Sequence, residues 1–302
     1  MSLTLFLMTE KGQAVLEGVI ASVGPGAVSL VVGARDANVR NDRYEDIRAA
    51  CRKAGIAFAD RVPAPAIATD YALAVSWRWM IHGVPNLIAL HDSLLPKYRG
   101  FAPLPNALIN GEREVGVSAL FASDDYDRGD IVCQRRLQIE YPIKIRQAIQ
   151  SVIPLYVGIA SEICSSLASG AQLPRGKQDE AEATYSLWRD DLDYEIDWRW
   201  DAARIARFID AVGYPYLGAR TTLNREPVTV HDAVAEPDVR IEDRAVGKVI
   251  FVRGGQPVVV CGSGLLRIAR METPEGRSLL PLKKFRSRLG AAYPVSRTPG
   301  AP

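Results

Sequence analysis

Short, continuous apolar runs recur through the first half of the chain, separated by stretches whose apolar residues return at helical spacing. Leu3-Thr-Leu-Phe-Leu-Met8, Val28-Ser-Leu-Val-Val32, Tyr71-Ala-Leu-Ala-Val-Ser76 and Leu87-Ile-Ala-Leu90 have the pattern of buried strands. Between them, Lys11–Val23 has helical spacing, and Arg43–Gly55 places Ile47, Ala50, Cys51 and Ala54 on one face of an amphipathic helix. Strands alternating with helices predict βαβ units, hence an α/β fold with a doubly wound, mostly parallel sheet. Ala102–Ile109 predicts a helix with prolines in its first turn, Val115–Ala122 a further strand, and Ile145–Leu167 a long apolar helix covering the sheet. Ser169–Ala183 reads as a loop that closes this part of the chain.

The pattern then changes. Asp190–Trp198 and a helix over Asp201–Val212 form a connector, after which the apolar runs become short and are broken by Gly, Pro and Asp turns. Ala219–Leu223, Val228–Ala233, Gly247–Val252, Pro257–Val260 and Leu265–Arg270 predict a small open β-barrel. The expected organisation is a catalytic domain over 1–183, a connecting segment over 184–214 and a barrel domain over 215–302.

Composition narrows the function classes. The 302 residues are 48% apolar and 24% charged, enough for a full core. The net charge of +2, with both signs interspersed, gives no bulk electrostatic case for nucleic acid. Cys51, Cys133, Cys164 and Cys261 are far apart and read as apolar fillers in a reducing compartment, so a cytoplasmic location is expected. No apolar run is expected to span a membrane. Asp124, Asp125 and Asp130 form an oxygen-rich loop, but they read as solvated turn residues, and no metal is expected.

Two polar clusters follow strand ends. Asn86-Leu-Ile-Ala-Leu-His91-Asp-Ser-Leu-Leu-Pro-Lys-Tyr-Arg99-Gly100 supplies a histidine, and Asp124-Asp-Tyr-Asp127-Arg-Gly-Asp130 supplies carboxylates. Ligand sites in open α/β sheets lie beyond the carboxyl ends of strands. A histidine and a carboxylate brought together there would suit acyl-group chemistry. The two-part motif from His91 to Gly100 and from Tyr126 to Asp130 resembles the signature of the folate-dependent formyltransferase family. That family includes methionyl-tRNA, glycinamide-ribonucleotide and nucleotide-sugar amine formyltransferases, and the likeness extends over almost the full length.

The resemblance implies a Rossmann-like formyltransferase domain with an OB-like carboxy-terminal barrel, 10-formyltetrahydrofolate as donor, and His91 and Asp127 as two of three catalytic residues. The third, an asparagine two positions before the histidine, is Ala89 here. Side chains two apart on a strand share a face, so Ala89 points toward the same crevice as His91 but cannot donate. Asn106, Ser93 or a water are the candidate substitutes. Trp77, Trp79, Met80 and Ile81 suit a flat pterin, and the resemblance places Asp125 and Tyr126 beside it.

The acceptor is less constrained. The tRNA enzymes carry a long basic insertion after the second strand, whereas Gly33–Tyr44 is short and mixed in charge. Arg35, Asn38, Asn41 and Tyr44 would suit a diphosphate and a base, which favours a nucleotide-linked aminodeoxysugar over tRNA. Lys97 and Arg99 are expected at the rim, Arg99 alternatively bracing the loop with Gly100. The run Lys283–Arg288 is read as a solvated basic helix end. A homodimer is compatible with this sequence. A hydrolase using water as acceptor and a formyl-folate-binding relative with altered chemistry are the other readings; a dinucleotide oxidoreductase is disfavoured because Thr9-Glu-Lys-Gly12 is no glycine-rich phosphate loop.

Overall fold

The computed structural model describes residues 2–290. The chain divides into two compact units, one comprising 1–107, 113–140 and 146–188, the other 108–112, 141–145 and 189 onwards. The tail of the expected barrel domain, 291–302, lies outside the described residues.

The elements wholly or mostly in the first unit are β1 (Leu3–Leu7), α1 (Thr9–Val23), β2 (Val28–Gly33), α2 (Tyr44–Ala54), β3 (Ala57–Asp60), β4 (Tyr71–Val75), β5 (Asn86–His91), β6 (Arg99–Gly100) and α3 (Pro103–Asn110). Then come β7 (Glu114–Phe121), β8 (Ile131–Gln138), α4 (Ile145–Ala168) and β9 (Tyr185–Ser186). The main sheet has seven strands in the order β3-β2-β1-β4-β5-β7-β8. Its first five strands are parallel, while β7 runs against β5 and β8 against β7. The sheet is therefore mostly parallel, with an antiparallel hairpin at one edge. β3 is four residues long and largely exposed, and β8 runs into Arg135 and Arg136, so sequence patterning passes over both.

Helices pack on the face built by Leu5, Val31, Leu73 and Ile88. α1 buries Val15, Leu16 and Val19 there. It meets α4 where Gly18 faces Val157 so closely that a Cβ would lie 2.4 Å from the valine side chain. α4 repeats Ile145, Ala148, Val152, Tyr156, Ile159, Ile163 and Leu167 at helical spacing, all buried. At 24 residues it is long and apolar enough to cross a bilayer by composition alone, contrary to the sequence expectation. Here it packs against the protein core, and Tyr156 donates to Asp92 at 2.6 Å. Asp92 also pairs with Lys11, whose side chain is 8% exposed. Removing one partner leaves a charge stranded in a largely dry site, so Lys11→Met should destabilise the fold by about 3 kcal/mol. A shift in the urea midpoint at unchanged m value would measure it; a loss below about 1 kcal/mol would show that the pair carries little.

On the opposite face Phe6, Val32, Ala72 and Ala74 form an apolar cluster. Irregular segments contribute Ile67, Trp77, Ile81 and Val84 to it. The same face carries Ala89, paired with Ala74, and His91 two residues further along β5.

The second unit holds α5 (Ala202–Ala211), β10 (Ala219–Leu223), β11 (Glu226–Glu236), β12 (Val249–Arg253), β13 (Gln256–Val260), β14 (Leu265–Glu272) and β15 (Leu289–Gly290). Its antiparallel sheet has six strands in the order β12-β13-β14-β11-β10-β15. An isolated bridge between Lys248 and Arg288 brings the two edges together and curls the sheet. Trp198 Nε1 donates to Thr221 Oγ1 at 3.0 Å inside this unit. The Lys283–Arg288 run is an irregular segment leading into β15, not a helix end.

Candidate functional site

β5 ends on His91, which is 8% exposed. Its Nε2 lies 2.8 Å from the carbonyl oxygen of Tyr98. A carbonyl can only accept, so Nε2 carries the proton in that bond, and Nδ1 is the nitrogen that faces Asp127. Nδ1 and Asp127 Oδ2 are 3.5 Å apart, an ion-pair distance longer than an aligned hydrogen bond. The two predicted residues therefore meet.

How they meet follows from the strand reversal. Phe121 at the end of β7 pairs with Ile88, and the Ala122 amide donates to Leu87 at 2.7 Å. The following loop thus leaves the sheet beside the start of β5 and must fold back along β5 to reach His91. Asp127 takes a left-handed conformation there, φ +55°, which Asp and Asn tolerate better than most residues. Its Oδ2 accepts from the Gly100 amide at 2.8 Å. Gly129 lies so close to Phe121 that a Cβ would sit 1.7 Å from that residue's carbonyl oxygen, so the loop needs a glycine there.

Beneath the pair, Ala89 is flanked by Ala74 on β4 and Leu120 on β7. The two alanines give a shallow apolar floor. Of the expected auxiliary donors, Asn106 Nδ2 donates to the Ala102 carbonyl just before α3 at 2.9 Å, and Ser93 Oγ donates to the Lys97 carbonyl at 2.6 Å. Both contacts are local.

The formyl transferase family profile matches residues 66–152, which contain His91 and Asp127, and the profile of the formyl transferase C-terminal domain matches 190–288. A methionyl-tRNA formyltransferase of Acidobacterium capsulatum is 30% identical over 234 residues, covering 74% of this chain and 73% of that protein. The chain belongs to the formyl transferase family.

A methionyl-tRNA formyltransferase of Roseiflexus sp. is 33% identical over 204 residues, which is 67% of this chain but 61% of that protein. Among solved structures, the N-formyltransferase of Helicobacter canadensis, in complex with folinic acid and dTDP-3-aminofucose, superposes with a TM-score of 0.67 at 13% identity, covering 89% of this chain and 98% of that one. The sugar 3N-formyl transferase WlaRD gives 0.64 at 12% identity, covering 89% and 97%. HypX of Aquifex aeolicus gives 0.58 at 18% identity, covering 92% of this chain and 47% of that chain. At these identities the likeness is one of fold.

In this formyl transferase chain the other predicted residues are placed unequally. Trp77 packs edge-on against Phe6 (5.1 Å) and Trp79 (5.4 Å), and its Nε1 is buried with no hydrogen-bond partner. Ile81 joins the same apolar cluster, while Trp79, Met80 and Tyr126 are exposed, Tyr126 against Phe101. Asp125 pairs with Arg128 at 2.9 Å. Arg35 lies over the Tyr44 ring at 4.3 Å and pairs with Glu45 and Asp42. Tyr44 itself is buried, and its hydroxyl donates to Asp60, a bond that together with burial pushes the phenol above its usual range. It offers no open ring face for a base. The Asn38 backbone N–H donates to Asp36 Oδ1 at 3.0 Å, and Asn41 holds φ +64° in the same loop. Lys97 is exposed.

Arg99 is fully buried, which removes it from the rim and leaves the bracing role. It binds Glu180 through Nη1 and Nη2, both at 2.9 Å, and Gln178 Oε1 at 3.1 and 2.8 Å. Gln178 and Glu180 fall in the segment read as a plain loop. The one sequence signal for them was Arg99 itself, a charge needing partners that lie about eighty positions away. The hydrogen bond from Arg99 holds the Glu180 carboxyl below its usual range. A depressed carboxylate stabilises the fold above its unfolded value, and that contribution is lost as pH falls through the folded one. Glu180→Gln should therefore lower the melting temperature at neutral pH, with the gap to the parent narrowing in acid; a gap independent of pH would contradict this.

Proposed function

We propose that this chain transfers a formyl group from 10-formyltetrahydrofolate to the primary amine of a small acceptor, an aminodeoxysugar carried on a nucleotide. The observation that carries the transferase reading is the approach of His91 Nδ1 to Asp127 Oδ2 at the carboxyl end of β5. The residues present suit the donor: an apolar floor of Ala74 and Ala89, and an indole donor on Trp77 with no partner in the protein. When bound, the donor supplies an activated one-carbon unit at the formyl oxidation level.

The chain's own residues then do the following. Tyr98 fixes the imidazole by taking the Nε2 proton into a hydrogen bond. Asp127 stands beside Nδ1, where the carboxylate steadies positive charge on the ring and relays the proton that the amine must lose. Ala89 supplies no donor to the oxygen that gains charge as the amine adds, so that oxygen relies on the His91 side of the pocket and on water.

The preference for a small acceptor rests on the loop after β2. Two of its three arginines are committed locally, Arg35 to Glu45 and Asp42 and Arg43 to Asp46, with Arg40 exposed, while Arg78, after β4, pairs with Asp36 at 2.6 Å. Phosphate-dominated binding of RNA calls for a continuous uncommitted Lys/Arg surface. Methionyl-tRNA is the competing acceptor because relatives at about one-third identity carry that name. The test is a panel of amines with 10-formyltetrahydrofolate, read by mass spectrometry. Formylated nucleotide-sugar supports the proposal. Faster formylation of methionyl-tRNA overturns the acceptor, and release of free formate with every amine untouched overturns the transferase.

A further inference from the structure

We infer that Gln178 is a positioning residue that holds Asp127 against His91, its side-chain amide oriented for that task by the buried guanidinium of Arg99. The inference rests on Asp127 being part of the reacting pair.

The loop that carries Asp127 has little to hold it. Residues 122–126 are exposed and in no helix or strand, Asp127 is in the left-handed region, and the loop begins at the far end of β5. Gln178 Nε2 donates to the carbonyls of Asp127 at 2.7 Å and Gly129 at 2.8 Å, bracketing the residue whose carboxylate is used. An amide rotated by half a turn would present its oxygen to those carbonyls, and two acceptors facing each other repel. Arg99 prevents that rotation. Its Nε and Nη2 both donate to Gln178 Oε1, and a planar fork of donors selects the oxygen over the amino group. Glu180 holds the fork in turn, and Arg128 of the loop reaches the same carboxylate at 3.2 Å.

The contacts close a ring. The guanidinium of Arg99 fixes Gln178, Gln178 fixes the Asp127 backbone, the Asp127 carboxylate accepts from the Gly100 amide, and Gly100 follows Arg99 in the chain. β6 is pinned by its parallel pairing to β9, so the ring is referenced to a fixed strand. A carboxylate 3.5 Å from its partner nitrogen has little tolerance for drift, since a displacement of about 1 Å costs on the order of 10²-fold in a positioned reaction.

Gln178→Glu separates positioning from packing. Glutamate keeps the shape and the bond from Arg99, but an ionised carboxylate has nothing to donate to Asp127 or Gly129. The primary readout is amide hydrogen exchange at Gly100, whose N–H is held by Asp127 Oδ2, in the parent, Gln178→Glu and Asp127→Ala proteins. The expected result is that Gln178→Glu speeds Gly100 exchange at least tenfold, to the level of Asp127→Ala, while the melting temperature stays within a few degrees of the parent. Lowering the pH protonates the new glutamate and returns one donor, so the excess exchange, taken relative to the parent at each pH, should shrink in acid. Gly100 protection unchanged in Gln178→Glu would overturn the inference, as would loss of protection spread evenly over the sheet. Exchange needs no substrate, so failure of the proposed reaction and failure of this inference are distinguishable. In an assay with an accepted amine, kcat should fall at least tenfold with the donor KM little changed.

Discussion

Replacing His91 with alanine is expected to lower turnover by about two to four orders of magnitude, the range that a positioned proton-transfer group contributes. The imidazole joins the Tyr98 carbonyl to the Asp127 carboxylate. Its loss removes the ring beside which Asp127 stands and the side of the pocket on which the developing oxyanion relies. Asp127→Asn is the sharper partner variant, because asparagine tolerates φ +55° and can still accept from Gly100, so mainly the charge is lost. The double variant should be no worse than the poorer single one, since groups acting as a unit are not additive. Steady-state kinetics on the accepted amine, with circular dichroism to confirm folding, decide this. Full activity in either single variant would remove the pair from the mechanism.

Ala89→Asn is expected to raise kcat/KM for formyl transfer by about 10²-fold, the scale on which one oxyanion donor acts. The side chain at 89 shares the His91 face, and its neighbour across the parallel ladder is Ala74, small enough to leave room for an amide. Asn106 Nδ2 and Ser93 Oγ each hold a bond to a neighbouring carbonyl. An unchanged rate would mean that the charge is met by a donor outside this set. A gain in formate release without acceptor would instead place the chain with the hydrolases.

Much of the parallel half was legible from residue patterning. β1, β2, β4 and β5 are continuous apolar runs because both of their faces are covered, and burial of both faces is what such a run reports. His91 and Asp127 were legible as a two-part motif. What escaped was contact at long range. β8 opens on Ile131-Val-Cys133 but runs on into the exposed pair Arg135-Arg136, so its apolar stretch is too short to stand out. Gln178 is an ordinary polar residue in an irregular stretch, and the Gly176–Ile131 bridge together with the ladder between β6 and β9 brings it to the loop. Tyr44 misled for a related reason: a tyrosine beside arginines and asparagines in a loop looks like a ligand platform, but it opens α2 and turns inward onto Phe58 at 5.5 Å. Arg99, expected at the rim, is interior because Glu180 and Gln178 satisfy it there.

The reversal of β7 against β5 has a bearing on how such a pocket diversifies. The imidazole stands on a strand whose register is fixed on both sides, whereas its acidic counterpart is delivered by a hairpin tip that no ladder constrains. Insertions or deletions between Ala122 and Tyr126 can reshape that tip without shifting the sheet. The nitrogen stays put while the wall opposite it is rebuilt, and new amines can be admitted one hairpin at a time.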